Sequence, residues 1–204
     1  MDFRVTKFGP SEAAEITGAS TATQLNWRKR GFLPVTGGHA RFDLFDLLKL
    51  TFVVDVGGLG IGPTDAFPSA EWVAHHALFY ALAVERAVDG SAAEIAEREA
   101  NMPPRGPHAE QDPELRALED RLDQAQRIAR VAFGRPGLRP VPHATLWSDG
   151  SDFFGFSPVD ADASLPVGDA RRGQPAITLD LPSFAFRVVS RLPRSAVVCV
   201  PEDD

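Results

Sequence analysis

Apolar and polar positions along the chain change rhythm three times, and each rhythm predicts different elements. Residues 11–17, Ser-Glu-Ala-Ala-Glu-Ile-Thr, read as a short helix with Ser11 as N-cap. Gly18-Ala19-Ser20 reads as a tight turn, with glycine supplying the positive φ. Residues 21–30 read as a second helix capped by Ser20 or Thr21 and stopped by Gly31. Two short extended arms then flank a Gly-Gly pair in Val35-Thr36-Gly37-Gly38-His39-Ala40-Arg41-Phe42, a hairpin in the place of a wing. Asp43 caps a third helix that opens at Leu44 and carries a dense apolar face.

The middle of the chain reads as helical. Residues 69–88 place Trp72, Val73, Leu78, Phe79, Leu82 and Val84 around most of a helix, the pattern of a buried one, with Ser69 as cap and Gly90 as stop. Residues 113–133 carry Leu115, Leu118, Leu122, Ala125, Ala129 and Ala132 at alternating spacings of three and four. That seam fits either packing on its own domain or a homodimer contact through Leu115, Leu118, Leu122 and Ala125.

The last third turns to period two. Residues 144–147 and 153–156 around Asp149-Gly150-Ser151 predict a β-hairpin. A strand over 176–181, a helix over 182–191 with Phe184, Val188 and Leu192 on one face, and a strand over 196–200 follow. Gly- and Pro-rich segments at 56–69, 101–113 and 158–175 read as connectors. The expected fold class is therefore α+β. An N-terminal winged helix-turn-helix over 1–60 leads into a helical and α+β region over 69–204, for dimerisation, an effector or a partner.

Charge sharpens that division. The 204 residues carry a formal net charge of -7, yet residues 1–60 hold seven basic and six acidic side chains. The rest holds 14 basic and 22 acidic, so contact with nucleic acid or an anionic surface must be local. Three cations stand together as Arg28, Lys29 and Arg30. A single cysteine, Cys199, excludes an internal disulfide and a cysteine zinc site. Apolar runs fall short of a membrane span, and residues 1–4 carry no leader pattern, so a cytoplasmic protein without membrane contact is the expectation.

Candidate chemistry is sparse. His75 and His76 are adjacent on a helix, not at the i, i+4 spacing of a metal pair. Gly58-Leu59-Gly60-Ile61-Gly62 lacks both the dinucleotide and the P-loop pattern. Asp149, Asp152, Asp160 and Asp162 lack the register of a calcium loop. Ser183 and Ser190 have no nucleophile-elbow context. Neither an enzyme, a metal nor a cofactor is expected.

The second helix and wing supply a DNA-reading set. Thr21, Thr23, Gln24 and Asn26 are small or amide side chains suited to base edges, and Gln and Asn can pair bidentately with adenine. Arg28, Lys29 and Arg30 suit phosphates, while His39 and Arg41 sit on the wing. Trp27 is expected in the domain core.

Ala14, Ile16, Gly18, Ser20, Trp27, Gly31, Leu33, Pro34, Gly38, Arg41 and Phe42, in this order of elements, resemble the winged helix-turn-helix of the MerR superfamily. The sense is broad and includes phage excisionases and small terminase subunits. The resemblance covers about 45 residues of the N-terminal part. It implies a sequence-specific reader of double-stranded DNA, most simply a transcriptional regulator. The alternatives are a phage or mobile-element DNA-architecture protein, or an adaptor whose winged module binds protein. A homodimer is expected because one small winged module buries limited surface on DNA, while two half-sites give useful affinity.

Overall fold

A computed structural model of the chain describes residues 2–34, 40–90, 113–135, 140–147, 150–157 and 160–200, without the side chains of 113–119, 160 and 162. The fold is α+β. Strand β1 (Asp2–Val5) opens the chain, followed by α1 (Pro10–Thr17), α2 (Thr21–Lys29), α3 (Leu44–Gly58) and α4 (Pro63–Leu82). A 3-10 turn over Glu85–Ala87 leads into β2 (Val88–Asp89). Then come α5 (Pro113–Ala132), β3 (His143–Trp147), β4 (Asp152–Gly155), α6 (Asp160–Ser164), β5 (Ala176–Asp180), α7 (Leu181–Ser190) and β6 (Val197–Val200).

Helices α3 and α4 form the centre. On α3, Leu44, Phe45, Leu47, Leu48, Leu50, Phe52, Val53 and Val56 are all buried, so it is covered on most of its circumference. Asp43 caps it as the sequence predicts, its carboxylate accepting the Asp46 N–H at 3.0 Å. The segment expected as a connector at 56–69 is instead a tight helical hairpin. Gly60 takes φ +96°, and the Ile61 N–H closes back on the Val56 carbonyl at 3.0 Å. Pro63 then stands at the first turn of α4, where a missing N–H costs nothing. Helix α4 thus begins before Ser69, which is buried inside it, and ends at Leu82, short of the expected 88.

Two three-stranded sheets flank the helices, ordered β1-β6-β2 and β4-β3-β5. In the first, β1 runs antiparallel to β6 with Phe3 opposite Cys199, so the two ends of the chain share a sheet. In the second, β3 is central, pairing antiparallel with β4 and with β5. The expected hairpin, the strand near 176–181, the helix near 182–191 and the strand near 196–200 all form.

One apolar cluster runs from Phe3 through α1–α5 and α7 to Cys199. The core therefore does not break between 60 and 69, the boundary that the sequence suggests. Arg187 on α7 ties this body further, donating to Asp55 on α3, with one Nη1–Oδ1 contact at 3.2 Å. Among the described residues, no helix is long and apolar enough to cross a membrane.

Candidate nucleic-acid interface

Helix α2 is held by its inward side chains. Gly18 ends α1 at φ +79°, and the Thr17 hydroxyl accepts the Ala19 N–H at 3.1 Å. The Ser20 hydroxyl accepts the Thr23 N–H at 3.1 Å and bonds the Thr23 hydroxyl at 2.8 Å, which caps α2. Gln24 is fully buried. Its Nε2 donates to the Pro10 and Ala19 carbonyls, each at 2.9 Å, and so locks α2 onto the start of α1 and the turn. Trp27 is buried edge-on against Phe67 of α4, with ring centroids 5.4 Å apart. Helix α1 itself is capped at Gly9 with Pro10 at its first position, not at Ser11, and Glu12 accepts the Gly9 N–H at 2.8 Å.

This packing sorts the sequence-predicted DNA residues into two groups. Gln24 faces inward, and its amide is committed to backbone carbonyls, so it is not available to a base edge. Thr23 is half-buried and spent on the cap. Thr21, Asn26, Lys29 and Arg30 are exposed. Arg28 is half-buried, its guanidinium 5.3 Å from the Phe42 ring centroid, and it lines one recess with Arg41, Leu33, Pro34 and Ala40. Arg30 lies 4.8 Å above the Phe32 ring, which stacks on Phe67 at 5.0 Å. Phe42 is fixed by a two-hydrogen-bond bridge to Phe8, at 2.8 and 2.9 Å, which places Arg41 beside α1. His39 and the first wing arm, 35–39, lie outside the described residues.

The signal for Gln24 was present in the spacing. Residues 24 and 27 stand three apart and share a helix face, so an inward Trp27 carries Gln24 inward and turns Leu25 outward. Leu25 is 51% exposed and is absent from the set that the sequence reading names.

The stretch around α2 is biased toward positive charge. Between Ile16 and Phe42 there is no Asp or Glu, while Arg28, Lys29, Arg30 and Arg41 fall inside the same stretch. Of the flanking carboxylates, Glu12, Asp43 and Asp46 are engaged. Arg194 binds Glu12, with a second Nη2–Oε2 contact at 3.4 Å, and this contact with the Gly9 N–H holds the Glu12 carboxyl below its ordinary range. Lys7 pairs with Asp43 at 2.8 Å. Arg191, from the far end of the chain, donates to the Ile16 carbonyl at 3.2 Å and adds a cation beside the turn. No local pattern in the sequence announces that neighbour, because 175 residues separate the two.

The tentative dimer seam divides. Ala125 is fully buried with Ile128 in the chain's own core, and Leu122 is half-buried, so this end of α5 packs on its own chain. The side chains of Leu115 and Leu118 lie outside the described residues. Away from α2, His76 is buried, accepts the Val141 N–H at 3.3 Å on Nδ1 and packs 5.0 Å from Phe154, so α4 and the hairpin fill the space between them. Among the described residues, no group of His, Cys, Asp and Glu has the make-up of a metal site.

Comparison with protein-family models, with curated proteins and with solved structures found no match for this chain.

Proposed function

We propose that the chain is a sequence-specific DNA-binding protein, a MerR-like transcriptional regulator that lays α2 in the major groove. One observation carries the reading. Helix α2 is clamped from behind by Gln24 and Trp27 and presents Thr21, Asn26 and Lys29 outward, within a stretch free of carboxylates. A rigid helix that offers an amide and a cation to solvent suits base edges and phosphates together. Arg28, Arg30 and Arg41 flank it as phosphate contacts. The acidic remainder of the chain opposes non-specific adhesion to DNA.

The test is selection of bound fragments from genomic DNA, followed by affinity across a salt series for the parent, Asn26→Ala and Arg41→Ala. A single enriched motif is the expected result. Asn26→Ala relaxes the preference at one position, and Arg41→Ala lowers the salt slope by about one while leaving the motif unchanged. Weak, motif-free binding that neither substitution alters would overturn the reading and favour an adaptor role. Motif position separates promoter control from a packaging or recombination role.

A further inference from the structure

At about 100° per residue, the exposed residues of α2 fall on one arc of about 140°, in the order Thr21, Leu25, Lys29, Ala22 and Asn26. Leu25 and Ala22 make its apolar part, and neither belongs to an apolar cluster of the described chain. Leu25 is the large apolar side chain that α2 leaves exposed, whereas Trp27 is buried. Two residues are also far too small a patch for a protein interface, which needs about 800 Å² from each partner. The surrounding positions are an amide, a hydroxyl and a cation, and the stretch has no carboxylate, so the complementary surface is anionic and carries an isolated apolar group. Thymine in the major groove presents that combination, because its C5-methyl is the one apolar group on a base edge there.

Resting on the DNA-binding reading above, we propose that Leu25 is a specificity-determining residue that packs on a thymine C5-methyl. Asn26, about 100° further round the arc beyond Lys29 and Ala22, takes an adenine at a separate base pair. The preferred sites of this chain thus hold an A·T pair opposite Leu25. The residue chosen to read sequence is Leu25, in place of its neighbour Gln24, because the Gln24 amide is consumed by Pro10 and Ala19.

The experiment uses the full chain and the duplex recovered by selection. Each thymine is replaced in turn by deoxyuridine, which keeps base pairing and removes only the methyl. The parent is expected to lose roughly fourfold in affinity at one or two positions and nothing elsewhere. Leu25→Ala is expected to bind more weakly with an unchanged salt slope and to be indifferent to uracil at those positions, and Leu25→Met to restore the sensitivity. Thermal melts of the variants separate a lost contact from a lost fold. A parent indifferent to uracil throughout overturns the role of Leu25 while leaving DNA binding intact, and so does a Leu25→Ala protein as sensitive as the parent. A parent with no salt-dependent DNA affinity overturns the underlying reading and this inference with it.

Discussion

Gln24 donates inward to the Pro10 and Ala19 carbonyls, so its replacement removes both hydrogen bonds. Gln24→Ala is expected to cost about 2 kcal/mol, read as a lower urea midpoint at unchanged slope. Asn26→Ala, two residues on and exposed, should leave the midpoint within about 0.5 kcal/mol of the parent. The contrast separates the latch from the reading surface without any DNA present. His76 gives a second residue-scale expectation. Burial, with His75 as the next cause, holds its imidazole below the ordinary value of about 6.5. The unfolded chain takes up this proton below about pH 6.5 and the folded chain resists it, so stability is full above that pH and falls as the solution is acidified. Among the described residues, lowered carboxyls such as Glu12 and Asp180 act only near and below about pH 4.5, and the half-buried Asp46, raised by burial, acts in the opposite sense, so a fall between pH 7.5 and 5.5 belongs to His76. Urea melts at those two pH values should show it, and His76→Gln should flatten it.

At the scale of elements, local chemistry decided what could be read. Ser20, Asp43 and Gly18 each act on groups within four residues of themselves, and α2, α3 and the turn appear where those residues predict. The hairpin of β3 and β4 is nearly as local, with His143 opposite Gly155 and Leu146 opposite Asp152. Strands β1 and β2 were illegible for the opposite reason. Each is short, and both pair with β6, so their partners lie more than 100 residues away. The start of α4 was hidden differently, because Gly62 and Pro63 read as connector signals although they are a favourable N-cap and first turn. Pro68 reinforced that misreading, since it stands inside α4 and deprives the helix of one backbone donor. Pro68→Ala should therefore stabilise the protein, by about 1–3 kcal/mol. Calorimetry would register it as a higher melting temperature, and an unchanged or lower one would mean that packing at this site depends on the proline ring.

At the scale of the whole molecule, the question is whether the part proposed to read DNA can stand alone. Composition and charge suggest a module over 1–60 joined by a flexible segment to an acidic remainder. Packing argues otherwise. Helix α3 buries apolar side chains on nearly all sides, and α4 and α7 are packed in the same cluster. Strand β1 has its register from β6, Glu12 is held by Arg194, and Ile16 accepts from Arg191. A fragment of residues 1–60 loses each of these partners together. About 60 residues bury too little surface to replace them with a core of their own. The fragment is thus expected to lack a cooperative thermal transition and to bind a hydrophobic dye, whereas the full chain melts in one step with secondary and tertiary signals coincident. If instead the fragment melts cooperatively, α3 has found other cover, and the reading helix is an independent module. If the fragment is unstructured, the surface that α2 presents is coupled to the far end of the chain. On the proposed DNA-binding reading, a ligand or partner that disturbs α7 or β6 then alters DNA affinity without touching α2.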